Sequence, residues 1–487
     1  MNILFINPGI TAMQKDAPPV IPPLGLAYIA TISKKNGHKV LIYDCVLEGA
    51  KNPIPVKENE SNMLCYSVTD DNLLNILSKF KPDIIAISNN FTVTEKEVIR
   101  LSTLFKNFNR NIKVFVGGIN CTARYNQLIQ HSDIDILFIG EGEESFSEIL
   151  NRIEKNRDYN NIEGICYRKN GQIIRTNPAY VKNIDSLPVL DWDLLYLERY
   201  LEFQQFIHGI KKRAIGMVTS RGCIYECVFC SSKRILGHWR GRSPSSVIEE
   251  AKFLVEKHKI QEIQFYDANI AINRARFKEL MNLWIKHINI PWSAVGGIQV
   301  THIDDELLYL MKKSKCHTLV ISVEHVEPHL QEFIGKKVPL DKVLQICKTC
   351  KKLGIWIHCS FVIGFPNETI QQAEKCLNFA KKANFDSISV FAATPLPGSR
   401  LFDIIAPLKK IDPLSVRLLS DDFLCVKESD IEAFRNLKKN MQKRFLISKI
   451  IKECNPISIF QRIISFRMTN FITIIFRVFK RYCVLQK

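Results

Sequence analysis

Three cysteines stand within eight residues of one another, in Ser220-Arg221-Gly222-Cys223-Ile224-Tyr225-Glu226-Cys227-Val228-Phe229-Cys230. With 15 cysteines in 487 residues, chance supplies about a quarter of a cysteine to any such window. The spacing i, i+4, i+7 admits two readings. It is one face of a helix, which would make the three a buried apolar stripe. It is also three thiolates beside a glycine, where backbone can wrap a metal centre. Structural zinc asks for four protein ligands, and no fourth Cys or His stands nearby at finger-like spacing. A four-iron cluster normally takes four cysteines, so three leave one iron open to a non-protein ligand. An open iron implies reactivity, with Cys223, Cys227 and Cys230 as metal ligands and catalytic centre.

Those residues need a scaffold. From residue 211 onward, strand-like stretches at 215–219, 262–266, 293–300, 318–323, 357–363 and 387–393 alternate with helical stretches near 244–258, 274–288, 304–314, 340–353 and 370–383. Six strands with five intervening helices predict a βα repeat closing partly or fully into a barrel, whose chemistry collects at the carboxyl ends of the strands. The cysteines follow the first of these strands. Upstream, strands at 3–6, 39–43, 84–88, 113–116 and 136–139 each end at a turn or small residue, the pattern of a doubly wound parallel sheet with a ligand beyond its strand ends. Between the two units, 151–210 reads as a connector, with a hairpin turning at Asn170-Gly171. The expected division is 1–150, 151–210, 211–405 and a helical, basic 406–487.

On these residues the chain resembles the radical S-adenosylmethionine enzymes, whose signature is CxxxCxxC with an aromatic before the last cysteine, here Phe229. The resemblance continues in Tyr266-Asp267-Ala268-Asn269 after the second strand and Ile321-Ser322-Val323-Glu324 at the fourth. It extends to Val362-Ile363-Gly364-Phe365-Pro366-Asn367-Glu368-Thr369 at the fifth and Thr394-Pro395-Leu396-Pro397-Gly398-Ser399 at the sixth. It implies a 4Fe-4S cluster on the three cysteines and S-adenosylmethionine contacts from Phe229, Asp267, Asn269, Ser322, Glu324 and Gly364. Where family members often have Glu-Ser, this chain has Glu324-His325.

The N-terminal unit resembles a cobalamin-binding, flavodoxin-like domain. The matching segments are Pro22-Pro23-Leu24-Gly25, Lys81-Pro82-Asp83-Ile84 through Ser88, Val116-Gly117-Gly118 and Gly140-Glu141-Gly142-Glu143. Cobalamin contacts are implied for Pro23, Gly25, Asp44, Ser88, Gly117, Gly118, Gly140, Glu141 and Gly142. Base-off cobalamin proteins carry Asp-x-His-x-x-Gly, but here Asp44-Cys45-Val46-Leu47-Glu48-Gly49 puts Val46 in the place of the histidine. Valine cannot ligate cobalt, so no protein imidazole is expected on the lower face. The methylthiotransferases share the radical core but need a second cluster, and Cys45, Cys65, Cys121 and Cys166 are too scattered to hold one.

Composition fits a globular enzyme, with 46% hydrophobic and 24% charged residues. No run free of Asp, Glu, Lys and Arg reaches 18 residues, so no spanning helix is expected. The N-terminus lacks a positively charged leader, and the odd number of cysteines suits a reducing compartment. The expected location is cytoplasmic. Of the net charge of +18, residues 431–487 carry 13 − 2 = +11. Within 459–487, Arg462, Arg467, Arg477, Lys480, Arg481 and Lys487 fall within about 160° of a helical projection, with Phe471, Ile475 and Phe479 opposite. That pattern predicts an amphipathic helix at the inner membrane surface or one packed on the barrel, and no nucleic-acid site.

The predicted architecture is therefore α/β: a doubly wound parallel sheet, a partial (β/α)6 barrel and a basic tail. The resemblance implies carbon methylation of a small molecule or lipid using a 4Fe-4S cluster, S-adenosylmethionine and cobalamin, with a one-electron reductant such as flavodoxin or ferredoxin. Cyclisation, oxidation or rearrangement by the same cofactors is the alternative, and a non-catalytic cobalamin or iron-sulfur sensor is the alternative from another class.

Overall fold

The computed structural model describes residues 1–13, 20–58, 61–203, 209–417 and 421–453. The basic stretch expected to be helical at 459–487 lies outside the described residues.

The N-terminal sheet holds five parallel strands: β1 (Asn2–Asn7), β2 (Lys39–Asp44), β3 (Ile84–Ser88), β4 (Lys113–Gly117) and β5 (Ile136–Phe138). Their spatial order is β2-β1-β3-β4-β5. β3 is buried along its whole length, which a strand covered by helices on both faces must be, and its Ile-Ile-Ala-Ile run meets that demand. Alternate residues feed two cores, with Ile3, Phe5, Phe115 and Phe138 on one face and Leu4, Ile6, Ile85 and Val114 on the other. The winding reverses between β1 and β3, opening a crevice at their carboxyl ends.

The hairpin assigned to the connector instead continues this sheet. β6 (Ile165–Lys169) pairs antiparallel with β5, and β7 (Gln172–Arg175) forms the outer edge. Asn170 and Gly171 both take positive φ, as a two-residue turn between twisted strands requires. A small antiparallel sheet of Ile10–Met13, Ser61–Tyr66 and Ile54–Glu58, not anticipated above, stands beside it.

The second sheet is wholly parallel and runs in chain order: β8 (Ala214–Met217), β9 (Glu262–Phe265), β10 (Trp292–Ala294), β11 (Cys316–Glu324), β12 (Trp356–Ile363) and β13 (Ser387–Ala392). Among the described residues no pairing joins β8 to β13, so the barrel is partial. The intervening helices fall where the periodicity placed them, and their ends are chemically marked. Ser243 caps Pro244–His258 with proline at the first turn, and Thr369 with Gln372 forms a capping box on Ile370–Ala383. β10 is shorter than expected, because Gly296 and Gly297 end it. Gly297 is at φ +89°, and a Cβ on Gly296 would lie 2.1 Å from the Asp267 carbonyl oxygen.

The connector is structured. Short helical turns at Trp192–Leu195 and Leu197–Leu201 place Trp192, Leu195 and Tyr200 in one hydrophobic core that runs from the N-terminal sheet into the barrel. Trp192 is fully buried and donates from Nε1 to Glu250 Oε1 at 3.0 Å. Glu250 also pairs with the buried Arg242. The connector is thus an adhesive between the domains.

The helix Ile431–Glu453 buries Phe434, Leu437, Met441 and Phe445. It carries seven of the cations counted in the tail, four of which pair with acids: Arg435 with Glu432, Lys438 with Asp421, Arg444 with Glu374 and Lys449 with Asp386. No helix among the described residues is long and apolar enough to cross a membrane.

Because Trp192 serves both domains, Trp192→Ala should cost about 3–5 kcal/mol, the scale for removing a fully buried aromatic. Urea denaturation is expected to show a lower midpoint and loss of a single cooperative transition; an unchanged midpoint would mean that the domains do not share a core.

Candidate active site

Residues 222–231 form turns rather than a helix, so the cysteines do not share a helical stripe. Gly222 sits at φ +75°, and a Cβ there would lie 2.2 Å from the His238 carbonyl oxygen, so glycine lets the loop fold on itself. The loop is held by backbone hydrogen bonds: Cys223 N–H to Gly237 O at 3.2 Å, Val228 N–H to Ile334 O at 2.8 Å, and Leu401 N–H to Val228 O at 2.7 Å. Tyr225 Oη lies 2.6 Å from His302 Nε2, tying the loop to the turn after β10.

Cys223, Cys227 and Cys230 are all partly accessible, whereas the other described cysteines are buried apart from Cys65. The CxxC of Cys347 and Cys350 is accordingly buried in its helix. Burial pushes the Cys227 thiol up to about 12, with Lys336 pulling it down and Glu324, Cys230 and Cys223 adding to the rise. Among the described residues no three His, Cys, Asp or Glu converge on a single-ion site.

Asp267, at the end of β9, does not face outward. Its Oδ1 accepts from Thr219 Oγ1 at 2.8 Å and from Ser220 Oγ, and its Oδ2 accepts from the Thr219 N–H at 3.2 Å. Burial raises its pKa while these hydrogen bonds oppose the rise. It pins the chain just upstream of the cluster loop. Asn269 is placed differently: Oδ1 accepts from the Ala271 N–H at 3.1 Å, while the buried Nδ2 has no protein partner. An orphaned buried donor costs about 1–3 kcal/mol unless a ligand accepts from it. That fits a polar cofactor end.

At the end of β11 a bulge between Ser322 and Glu324 shifts the register, and Glu324 takes φ +63°. Its carboxylate meets Lys336 Nζ at 2.8 Å, both side chains being buried. Ser322 Oγ accepts from Ser360 Oγ at 2.8 Å. His325 has a structural use. Its Nδ1 accepts from the Glu327 N–H, so its proton lies on Nε2 and is donated to Glu368 Oε1 at 3.0 Å. The other Glu368 oxygen accepts from the Gly364 and Phe365 N–H groups at 2.7 and 2.8 Å. His325 thus clamps the ends of β11 and β12 together. Gly364 lies at φ +84° against Phe423, and the Phe229 ring is 6.2 Å from that of Phe365.

The strand ends of the N-terminal sheet form a second constellation. Asp44 is buried: Oδ1 accepts from the Val46 and Leu47 N–H groups and from Asn7 Nδ2, and Oδ2 accepts from Tyr200 Oη at 2.7 Å. Ser88 Oγ donates to Asn7 Oδ1 at 2.9 Å. Both residues shape the crevice through protein contacts. Around them the rim is open. Nothing lies within 4 Å of a Cβ on Gly25, Pro23 stands at the start of the Leu24–Lys35 helix, and Phe91 and Ile119 are 53% and 39% exposed. Gly118 at φ +128° packs on Asn89, and Gly140 at φ +86° packs on Ala179. Gly117 and Gly142 lie against Phe138 and Ile29. Exposed apolar side chains at these strand ends fit the edge of a large, partly apolar cofactor. Position 46 is a buried valine, with no imidazole to offer at the rim.

Glu141 is committed to protein. Arg240 donates to both its oxygens at 2.9 Å, and the Val181 N–H donates to Oε2 at 2.8 Å. Arg221 pairs with Glu143 at 2.6 Å. Lys336, Tyr200, Arg221 and Arg240 carried no local signal that would single them out, since each meets its partner through the fold.

The radical SAM superfamily profile matches residues 217–380, and the B12 binding domain profile matches residues 12–150. The chain is 32% identical to an uncharacterised methyltransferase of Pyrococcus horikoshii, over 82% of each chain. It is 28% identical to the cytidylyl-2-hydroxyethylphosphonate methyltransferase of Streptomyces wedmorensis, over 82% of this chain and 80% of that one. It is 26% identical to the anaerobic magnesium-protoporphyrin IX monomethyl ester cyclase of Rubrivivax gelatinosus, over 82% of this chain and 69% of that one. In fold it resembles the radical S-adenosylmethionine methyltransferase TsrM of Kitasatospora setae, with a TM-score of 0.68 at 18% identity, covering 84% of this chain and 76% of that one.

Lys336→Met leaves the Glu324 carboxylate buried without a countercharge, at a cost of about 3–5 kcal/mol. Adding Glu324→Gln should recover much of that stability in a double-mutant cycle. Additive losses would show that the pair does not interact.

Proposed function

Because this chain belongs to the cobalamin-binding radical S-adenosylmethionine enzymes, with a 4Fe-4S cluster, S-adenosylmethionine and cobalamin as cofactors, we propose that it methylates a carbon of a small molecule or lipid held between its two sets of strand ends. The observation that carries this reading is that those ends adjoin: Arg221, two residues before the first cluster cysteine, is ion-paired with Glu143, just past the end of β5. When bound, the cluster supplies the electron that cleaves S-adenosylmethionine and cobalamin supplies the methyl group.

The chain's own residues hold, orient and shield. Cys223, Cys227 and Cys230 would ligate three irons, leaving the fourth to the amine and carboxylate of S-adenosylmethionine. Asn269 Nδ2 is the donor awaiting a polar acceptor. Ser322 and Glu324 would meet the ribose, with Lys336 holding the Glu324 carboxylate in place. Gly364, whose Cβ position is taken by Phe423, would lie beside the adenine, and Phe229 would flank it. Asp267 acts by anchoring the base of the cluster loop. In the other domain Pro23, Gly25, Gly117, Gly118, Gly140 and Gly142 would border cobalamin, while Asp44 and Ser88 hold the crevice in shape. A one-electron donor of the flavodoxin or ferredoxin class would reduce the cluster.

Anaerobic reconstitution with methyl-labelled S-adenosylmethionine and a metabolite extract tests the reaction by mass spectrometry. Labelled product together with deoxyadenosine is expected, and Cys227→Ala should abolish the cluster's visible absorption and reduce deoxyadenosine to background. Deoxyadenosine without labelled product would move the chemistry to cyclisation, oxidation or rearrangement. Neither species in fully loaded wild type under strong reductant would leave a sensor.

The basic stretch from residue 459 supports peripheral attachment to an anionic membrane, which would bring a lipid substrate within reach. The informative truncation ends at Glu453, because Ile431–Glu453 packs on β13 and on the Ile370–Ala383 helix. Full-length protein should co-sediment with phosphatidylserine-containing vesicles and the truncated form should not; equal binding would remove the membrane from the account.

A further inference from the structure

The cluster loop hangs from a very small foundation. Ser220–Arg221 and Arg240–Gly241 form a two-stranded antiparallel ribbon in which Ser220 faces Gly241 and Arg221 faces Arg240. All three cluster cysteines lie between its strands. A ribbon of two residue pairs is marginal by itself, and like charges directly opposite each other weaken it further. Both guanidinium groups are largely buried, so water does little to screen them.

The countercharges come from the other domain. Glu141 takes a two-pronged pair from Arg240 at 2.9 Å and lies 3.6 Å from Arg221. Glu143 lies 2.6 Å from Arg221. Tyr28 and Tyr180 cover the guanidinium groups of Arg221 and Arg240, at 5.1 and 5.5 Å from the ring centroids. The Val181 N–H fixes Glu141 from behind, and Arg240 also donates to the Val181, Leu236 and His238 carbonyl oxygens. Two facing cations therefore become one four-charge cluster in which each acid neutralises an arginine of the ribbon.

We propose that Glu141 and Glu143 are positioning residues for the iron-sulfur loop: carboxylates of the N-terminal domain that hold the loop's paired arginines together and so fix the cluster site relative to the cobalamin rim. This assigns Glu141 to the cluster loop rather than to cobalamin. It rests on the two-cofactor reading for its consequence in catalysis, but its structural statement stands apart from whether methyl transfer occurs. The cluster site is incomplete without the domain that precedes it in the chain.

The test uses full-length protein loaded with both cofactors. Glu141→Gln, Glu143→Gln and their combination are compared with Glu144→Gln, an exposed neighbour, by hydrogen–deuterium exchange over residues 218–242. The combined variant should exchange at least about 10-fold faster in this segment, as local opening becomes easier, while Glu144→Gln matches wild type. Adding Arg240→Met to the combined variant, which removes one facing cation, should slow exchange again. A role confined to the N-terminal domain would not respond to Arg240. The ratio of methylated product to deoxyadenosine should fall by about 100-fold in the combined variant, the scale for misplacing reacting groups by an ångström. If that variant does not fold, Glu141→Asp, which keeps the charge but shortens its reach, should still quicken exchange in the ribbon. Exchange identical to Glu144→Gln in whichever of these variants folds, or weakened cobalamin affinity with an unchanged ribbon, would overturn the proposal. Absence of methylated product in wild type would instead count against the proposed reaction and leave the exchange result to be read by itself.

Discussion

Two sets of parallel strands end toward each other, and buried charge holds them there. A parallel sheet delivers its backbone ends and its loops to one edge, so a protein with two such sheets builds one shared site only if those edges are kept facing. Trp192 and Tyr200 pack the domains together from the side. Glu141 and Glu143 reach across to Arg221 and Arg240 at the edge itself. Removing one partner of such a pair costs more than the pair contributes, because the survivor stays buried and unneutralised. The arrangement therefore penalises any packing that separates the partners.

Much of this was legible in the sequence, and for identifiable reasons. The cysteine spacing singled out the cluster loop because three thiols in eight residues far exceed the chain's own density of 15 in 487. Ten of the eleven main strands fall within a few residues of their expected places because parallel strands are continuous apolar runs between helices. β10 fails because the run from 293 onward looks apolar while Gly296-Gly297 stops it. The hairpin was recognised by Asn170-Gly171, but its docking onto β5 was invisible, since a hairpin's local signal does not say which edge it joins.

The candidate site divides along the same line. Sequence position puts Asp44, Glu141 and Asp267 at strand ends but does not show what they bind. Asp44 meets Tyr200, 156 residues away, and Asp267 meets Thr219, 48 residues away. Each is a carboxylate used internally, and only long-range geometry separates them from Asn269, whose amide nitrogen is buried with nothing to bind. The basic charge of the C-terminal region divides too. Part of it is neutralised on the Ile431–Glu453 helix, so the remainder that bears on a membrane is smaller than the net count of the region.

The central claim is that both cofactors look into one space, and their magnetism reports it directly. Wild-type protein loaded with cobalamin in its cob(II) state and with the cluster reduced contains two unpaired spins. Pulsed electron paramagnetic resonance should show a dipolar interaction between them and faster spin relaxation of each than in the singly loaded forms. A doubly loaded spectrum equal to the sum of the two singly loaded ones, with unchanged relaxation, would contradict the account.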